Sequence, residues 1–218
     1  VSPGRVCLTR EGIEVRWLGR IEYRVCLEAQ RAHREALVAG RGTEALWCLE
    51  HDPVVTLGRR GGDYDAASLA ARGVPVVETE RGGLATWHGP GQLVGYLLLD
   101  LPKRRWAIRK VVHGMEAGLI DWLARRGVVA GRREGAPGVW TDRGKIAQLG
   151  LHVRRGITLH GFALNLDLAP DAFRGIVPCG LEAQVTSLVA EGGEAVVAEN
   201  VAPTVASTLI SSIVAAHR

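Results

Sequence analysis

Four short stretches carry residue types that could do chemistry. Val177-Pro178-Cys179-Gly180 places a thiol between a proline and a glycine. Proline fixes its own φ and pushes the residue before it into extended backbone, while glycine frees the next peptide. Such a turn can present a nucleophilic sulfur together with backbone N–H groups that stabilise an oxyanion. A buried structural cysteine in a turn is the plainer alternative. Gly144-Lys145-Ile146-Ala147-Gln148-Leu149-Gly150 puts a lysine at the head of an apolar strand. Half-buried there, Lys145 could accept a thiol proton; solvated, it is an ordinary strand-end residue. Arg81 to Gln92 holds Gly82, Gly83, Gly89, Gly91 and Pro90 among the donors Arg81, Thr86, His88 and Gln92. The backbone there can approach a ligand closely, or simply turn with a histidine at the surface. His160 opens the apolar run His160-Gly161-Phe162-Ala163-Leu164-Asn165, as a base or as a satisfied core histidine.

Several chemistries are disfavoured by pattern. No GxxxxGK[ST] loop and no GxGxxG order occurs. Cys7, Cys26, Cys48 and Cys179 have no zinc spacing and no CxxC, so no metal is expected. Cys7, Cys26 and Cys48 sit in apolar or helical contexts that suit structural, reduced thiols. The 27 basic and 23 acidic residues give a formal +4, which permits an acidic partner without demanding nucleic acid. Only Lys103, Lys110 and Lys145 are lysines, so a lysine base has three candidates. No apolar run approaches the roughly 18 residues that span a bilayer, and the first residues lack the apolar stretch of a secretion signal. No membrane association and a cytoplasmic location are expected.

The elements that must position these residues follow from periodicity and turn signals. Residues 6–17 read as a hairpin around Glu11-Gly12, and 21–39 as an amphipathic helix ended by Gly40. ALWCLEH and PVVTLG read as strands, Asp65–Arg72 as a short helix stopped by Gly73, and Val74–Thr79 and Leu93–Leu101 as strands. The stretch 81–92 lies between those two as a loop. Residues 105–126 read as one helix, then Val139–Asp142, Ile146–Val153 and Ile157–Leu166 as strands, and about 196–216 as a final helix. At 218 residues with 47% hydrophobic and 23% charged content, the chain suits a single domain over 1–218. The fold class expected is α/β (α+β), with a mixed, largely antiparallel sheet flanked by helices.

Taken in order, RGGxxTxH running into HGPGQ, then PGVW, GKIAQLG, HGFALN, PCG and VTSL resemble the octanoyltransferases of lipoate biosynthesis. The resemblance runs from about His51 (HDPVVTLGR) to Leu188. Gln148 stands where that family usually has a small residue, and Trp87 where tyrosine is common. The resemblance implies the catalytic-domain fold of biotin and lipoate protein ligases. It implies transfer of an octanoyl group from octanoyl-acyl carrier protein through a cysteine thioester, without ATP or another cofactor. The acceptor is a lysine of a lipoyl domain, on 2-oxoacid dehydrogenases or the glycine cleavage H protein. Matched motif by motif, Cys179 is the nucleophile and Lys145 the group that lowers its pKa. Arg81, Gly82, Gly83, Leu84, Ala85, Thr86, Trp87 and His88, with Gln148, Leu149, Gly150, Gly161, Phe162 and Ala163, bind substrate. Gly82, Gly83, Ala85, Gly150 and Gly161 are expected to leave room for an alkyl chain. Lys103, Arg104, Arg105, Arg109, Arg132 and Arg133 are candidate contacts for the acidic protein substrates, or a solvated charged face. The alternatives are an ATP-dependent ligase of the same fold, with Gly58-Arg59-Arg60-Gly61 faintly similar to an adenylate loop, a non-catalytic acyl-binding module, and a thiol hydrolase.

Overall fold

The computed structural model describes residues 6–176 and 184–218. Strands β1 (Val6–Leu8) and β2 (Glu14–Ile21) form the expected hairpin. Strand β2 runs past Trp17 through an irregularity at Trp17/Arg20, where Gly19 takes a positive φ; this break hid its second half from period-2 reading. Helix α1 (Tyr23–Val38) carries the chain over to β3 (Ala45–His51), which lies parallel to β2. A parallel pair needs such a crossover. After β3 come β4 (Val54–Leu57), α2 (Ala66–Ala71), β5 (Val76–Glu78) and β6 (Thr86–His88). Strands β4, β5 and β6 make a separate three-stranded sheet in the order β5-β4-β6.

The main sheet is completed by β7 (Gln92–Leu98), β8 (Gly138–Trp140), β9 (Lys145–Arg154) and β10 (Ile157–Asn165). Its order is β1-β2-β3-β7-β10-β9-β8. Only β2–β3 in this sheet and β4–β5 in the small one are parallel, so the architecture is mixed and largely antiparallel, as the sequence suggested. Between β7 and β8 lie α3 (Leu101–Arg104) and α4 (Ile108–Ala124); α5 (Ala198–Ala215) closes the chain. The helix expected over 105–126 is α4, and the four-residue α3 precedes it in a stretch where no helix was expected. The Asp100 side chain accepts from the Lys103 N–H, Pro102 sits in the first turn, and Arg105 ends α3 in a left-handed conformation. Asp then proline is a helix-start signal, and it also ends β7 before Leu101.

Central strands bury both faces. On β3, Leu46 and Cys48 face a core shared with α4 and α5, while Ala45, Trp47 and Leu49 face one shared with α1. On β7, Leu93 and Leu97 alternate with Val94, Tyr96 and Leu98 in the same way. Period-2 alternation with apolar residues on both sides reads as a continuous hydrophobic run, and places the sheet between helical layers. Residues of the small sheet gather a separate core from Val55, Leu69, Ala85, Trp87 and Ala172. Among the described residues no helix is long and apolar enough to cross a membrane.

Helices α4 and α5 touch backbone to backbone. A Cβ on Gly118 would lie 2.6 Å from the Leu209 Cα, and one on Gly114 2.5 Å from the Ile213 Cα. An exposed helical glycine replaced by alanine gains about 1 kcal/mol. Here the clash reverses the sign, and Gly118→Ala is expected to lose about 1–3 kcal/mol. Urea denaturation checks this; a higher midpoint in the variant would contradict the close packing.

Candidate functional site

Lys145 opens β9 and is 4% exposed. Its Nζ donates to the Pro137 carbonyl at 2.7 Å and sits 5.0 Å from the centre of the Trp140 ring. A carbonyl dipole and an aromatic face both favour a nearby cation. Gly138 makes this berth: at φ +137 it carries no side chain, and a Cβ there would come within 3.0 Å of Nζ. The Gly138 N–H is held by Glu116, whose other oxygen takes Arg132. Trp140 is fixed by its indole N–H on the Ala136 carbonyl. The PGVW motif therefore builds the wall around Lys145. Among these wall residues the sequence pattern marked Pro137, Gly138 and Trp140 within PGVW, without a role, and Arg132 as a surface contact.

Lys145 borders a cavity of about 300 Å³. Gly82, Gly83 and Leu84 form one side, Ile108, Val112 and Met115 of α4 another, and Gln148, Leu149 and Gly150 a third. A smaller cavity of about 40 Å³ shares Arg81, Gln148, Leu149 and Gly150 and adds Thr86, His88, Gly161, Phe162 and Ala163. The structure thus gathers twelve of the fourteen substrate-binding candidates round these two adjoining spaces. Ala85 and Trp87 instead pack into the small-sheet core, Trp87 5.8 Å from the Phe173 ring. Cys179 lies outside the described residues, as do Val177, Pro178 and Gly180. Beyond them, the Gln184 carbonyl accepts from the Lys145 N–H at 2.9 Å, and the Thr186 N–H returns to the Lys145 carbonyl at 3.1 Å.

The glycine-rich stretch is not only a loop, as expected, because Thr86–His88 pairs antiparallel with β4. Its Arg81–Leu84 part is backed by the turn at 58–60, whose N–H groups donate to the carbonyls of Arg81, Gly83 and Leu84. Gly150 and Gly161 serve close backbone approach: a Cβ on Gly150 would come 2.8 Å from the Gly82 carbonyl, and one on Gly161 would strike the Gly95 carbonyl on β7.

Under the small cavity lies a buried polar cluster that sequence pattern reveals only in part. The Arg81 guanidinium donates to the Thr56 carbonyl and hydroxyl. Thr56 faces His88 Nε2 at 3.4 Å, and His88 Nδ1 donates to Gln92 Oε1 at 2.8 Å. His51 donates from Nδ1 to the Ile21 carbonyl and accepts from the Tyr96 hydroxyl, both at 2.7 Å. Tyr23 stacks on His88, ring centres 6.0 Å apart. His160 takes a left-handed φ of 61°, with its N–H held by Gln30 of α1. Burial lowers the pKa of all three histidines: His51 to about 4, His88 well below the ordinary value, and His160 in the same direction. His88 is thus a neutral, doubly bonded residue rather than a base. Tyr96 and Tyr23 lie in stretches read only as strand or helix, with no local signal to mark them, and His51 opens the HDPVVTLGR motif without a role assigned to it. Burial also pushes the Cys26 and Cys48 thiols up to about 12, so both are inert, and Cys7 is an exposed free thiol.

Of the expected basic contacts, Arg104 is spent on Glu44 and the Glu11 carbonyl, Arg132 on Glu116, and Arg133 lies over the Trp140 ring. Lys103, Arg105 and Arg109 are exposed.

Residues 22–210 match the family model of the lipoyl protein ligase A/B catalytic domain. An octanoyltransferase from Thiobacillus denitrificans is 48% identical over 166 residues, 76% of this chain and 75% of that one. One from Mycobacterium tuberculosis is 44% identical over 205 residues, 92% and 87% of the two chains. The chain belongs to the octanoyltransferase family. Among solved structures, a lipoate-protein ligase A bound with ATP superposes with a TM-score of 0.69 at 17% identity, over 93% of this chain and 84% of that one. That likeness is one of fold. As a member of the octanoyltransferase family the protein is an acyltransferase.

The histidine shifts set a pH dependence. Their folded pKa values lie below the unfolded value near 6.5, so above pH 6.5 both states are neutral and full stability is present. As pH falls from 6.5 to 4 the unfolded chain binds protons that folded His51 refuses, costing about 3 kcal/mol for His51. Urea midpoints measured across that window are expected to fall steadily with acid, with a shallower slope in His51→Gln. An unchanged slope in the variant would remove His51 from the account.

Proposed function

We propose that the chain moves an octanoyl group from octanoyl-acyl carrier protein to a lysine of a lipoyl domain, through a thioester on Cys179 and with Lys145 as proton partner. The observation that carries this reading is the placement of Lys145. Its amine is buried at the edge of a largely apolar cavity, and its backbone is hydrogen-bonded to the chain that follows Cys179. Identity of 42–48% to octanoyltransferases over most of the chain supports it. In the first step Cys179 Sγ attacks the donor thioester carbonyl. The new S–C bond forms as the donor's S–C bond breaks, and the proton from Cys179 passes by way of Lys145 to the departing thiolate. In the second step the acceptor amine attacks the acyl-enzyme. An amide forms, Cys179 leaves as thiolate, and the amine's proton returns through Lys145. The donor is already a thioester, so neither step calls on ATP. Gly82, Gly83, Leu84, Leu149 and Gly150 line the acyl slot; the Gly150 N–H faces Gly161 in the β9–β10 ladder, so the Leu149 N–H is the candidate oxyanion donor with Gly180.

Incubation with octanoyl-carrier protein is expected to add one octanoyl mass to Cys179, removable by hydroxylamine and absent in Cys179→Ser. An active Cys179→Ser, or turnover that requires free octanoate and ATP, would sink the reading in favour of a ligase.

Lys145→Met is expected to slow acylation by about 10²- to 10³-fold and to move its pH optimum up toward an ordinary thiol pKa of about 8.5. Single-turnover rates against pH check this. An unchanged profile would take Lys145 out of the proton path.

A further inference from the structure

The polar cluster contains one continuous, directional chain. Arg81 donates from Nε and Nη2 to the Thr56 hydroxyl at 3.1 and 2.9 Å. With His88 Nδ1 committed as donor to Gln92 Oε1, His88 Nε2 is an acceptor, so Thr56 donates to it. Gln92 Nε2 then donates to Asn165 Oδ1 at 2.9 Å. Asn165 Nδ2 ends the chain on two backbone carbonyls, Thr186 at 2.9 Å and Lys145 at 3.4 Å. Each link leaves its acceptor polarised to donate onward, so the links strengthen one another. Thr56, Gln92 and Asn165 are fully buried, and an unmade bond there would cost more than one at the surface.

The two ends of this chain are the two halves of the site. At its head Arg81 also donates to the Gly82 carbonyl, on the loop that borders the cavity. At its tail Asn165 grips the spot where Lys145 pairs with Gln184 and Thr186, and Gln184 is five residues beyond Cys179. We infer that Gln92 and Asn165 are positioning residues, which hold the start of β9 and the chain leaving the Cys179 segment in register with the acyl-slot loop. Neither touches the reacting atoms; they act through the backbone of Lys145 and Thr186. The inference rests on the acyl-transfer reading above.

The test uses the full chain with octanoyl-carrier protein, reading the single-turnover rate of Cys179 acylation at saturating donor, the half-saturating donor concentration, and the far-UV circular dichroism. Asn165→Ala and Gln92→Ala are each expected to lower the saturated rate by roughly tenfold to a hundredfold, the scale set by small misplacements of catalytic groups. Half-saturation is expected to move by less than about threefold. Because both residues serve one chain, the double variant is expected to lose no more than the worse single. Should the alanine variants not fold, Gln92→Glu keeps the shape and the acceptor for His88 but turns an oxygen against Asn165 Oδ1, and the same rate loss is expected. A folded variant with a wild-type saturated rate, losses that multiply in the double, or a defect confined to half-saturation would each overturn the inference while leaving acyl transfer intact. A wild type that takes no octanoyl group on Cys179 overturns the acyl-transfer reading and this one with it.

Discussion

A primary amine taken almost wholly out of water must be given partners, and the arrangement around Lys145 is organised by that need. The Pro137 carbonyl and the Trp140 face supply them, but each has to be held in place in turn. Gly138 removes the Cβ that would fill the berth, Glu116 fixes the Gly138 N–H, and Trp140 is tied to the Ala136 carbonyl. Burying Glu116 is tolerable because Arg132 and that N–H satisfy both of its oxygens. A substitution at any of these positions would therefore act on the amine, although only Lys145 carries a reactive group.

The same logic of paired burial explains the histidines. Three imidazoles beneath an apolar slot would repel one another if charged, and desolvation opposes charging any of them. His51 and His88 are kept neutral and given both a donor and an acceptor role. Neutral imidazole has one of each, which is what a one-way hydrogen-bond chain requires and what a charged imidazolium, a double donor, cannot provide. Histidine here is a linker between fixed dipoles. His88 in HGPGQ was not expected to be the base, and its burial agrees with that.

The fold was legible where one physical signal dominated. Short apolar runs marked β3, β7 and β10, and Asp65 with Gly73 bracketed α2. It was less legible where two signals competed. Thr86–His88 was hidden by the glycines on both sides, because glycine marks turns more strongly than three residues mark a strand. The short helix Leu101–Arg104 was missed because four residues carry no periodicity, although Asp100 and Pro102 announce a helix start. At the site, motif order brought twelve binding candidates to two adjoining cavities; His51 and Gly138 lay within quoted motifs but without a role, and Tyr23 and Tyr96 were not seen. Their roles depend on what lies opposite them in space, and Tyr23 is 65 residues from His88 along the chain but stacks on it. Local pattern carries no information about such a pairing.

A scaffold shared with lipoate-protein ligase A at 17% identity does not itself choose between acyl transfer and ligation, since one fold hosts many chemistries. The choice has to be made by groups that differ in what they can exchange. A ligase must activate a free carboxylate, which calls for a nucleotide and a place for its phosphates. A transferase that receives a thioester needs only a thiol of comparable leaving ability and a group to carry one proton back and forth. A buried amine beside an apolar slot suits the transferase. On the proposed reading, the feature that bears on the choice is the pairing of Lys145 with Gln184 and Thr186, which follow Cys179 by five and seven residues in the sequence.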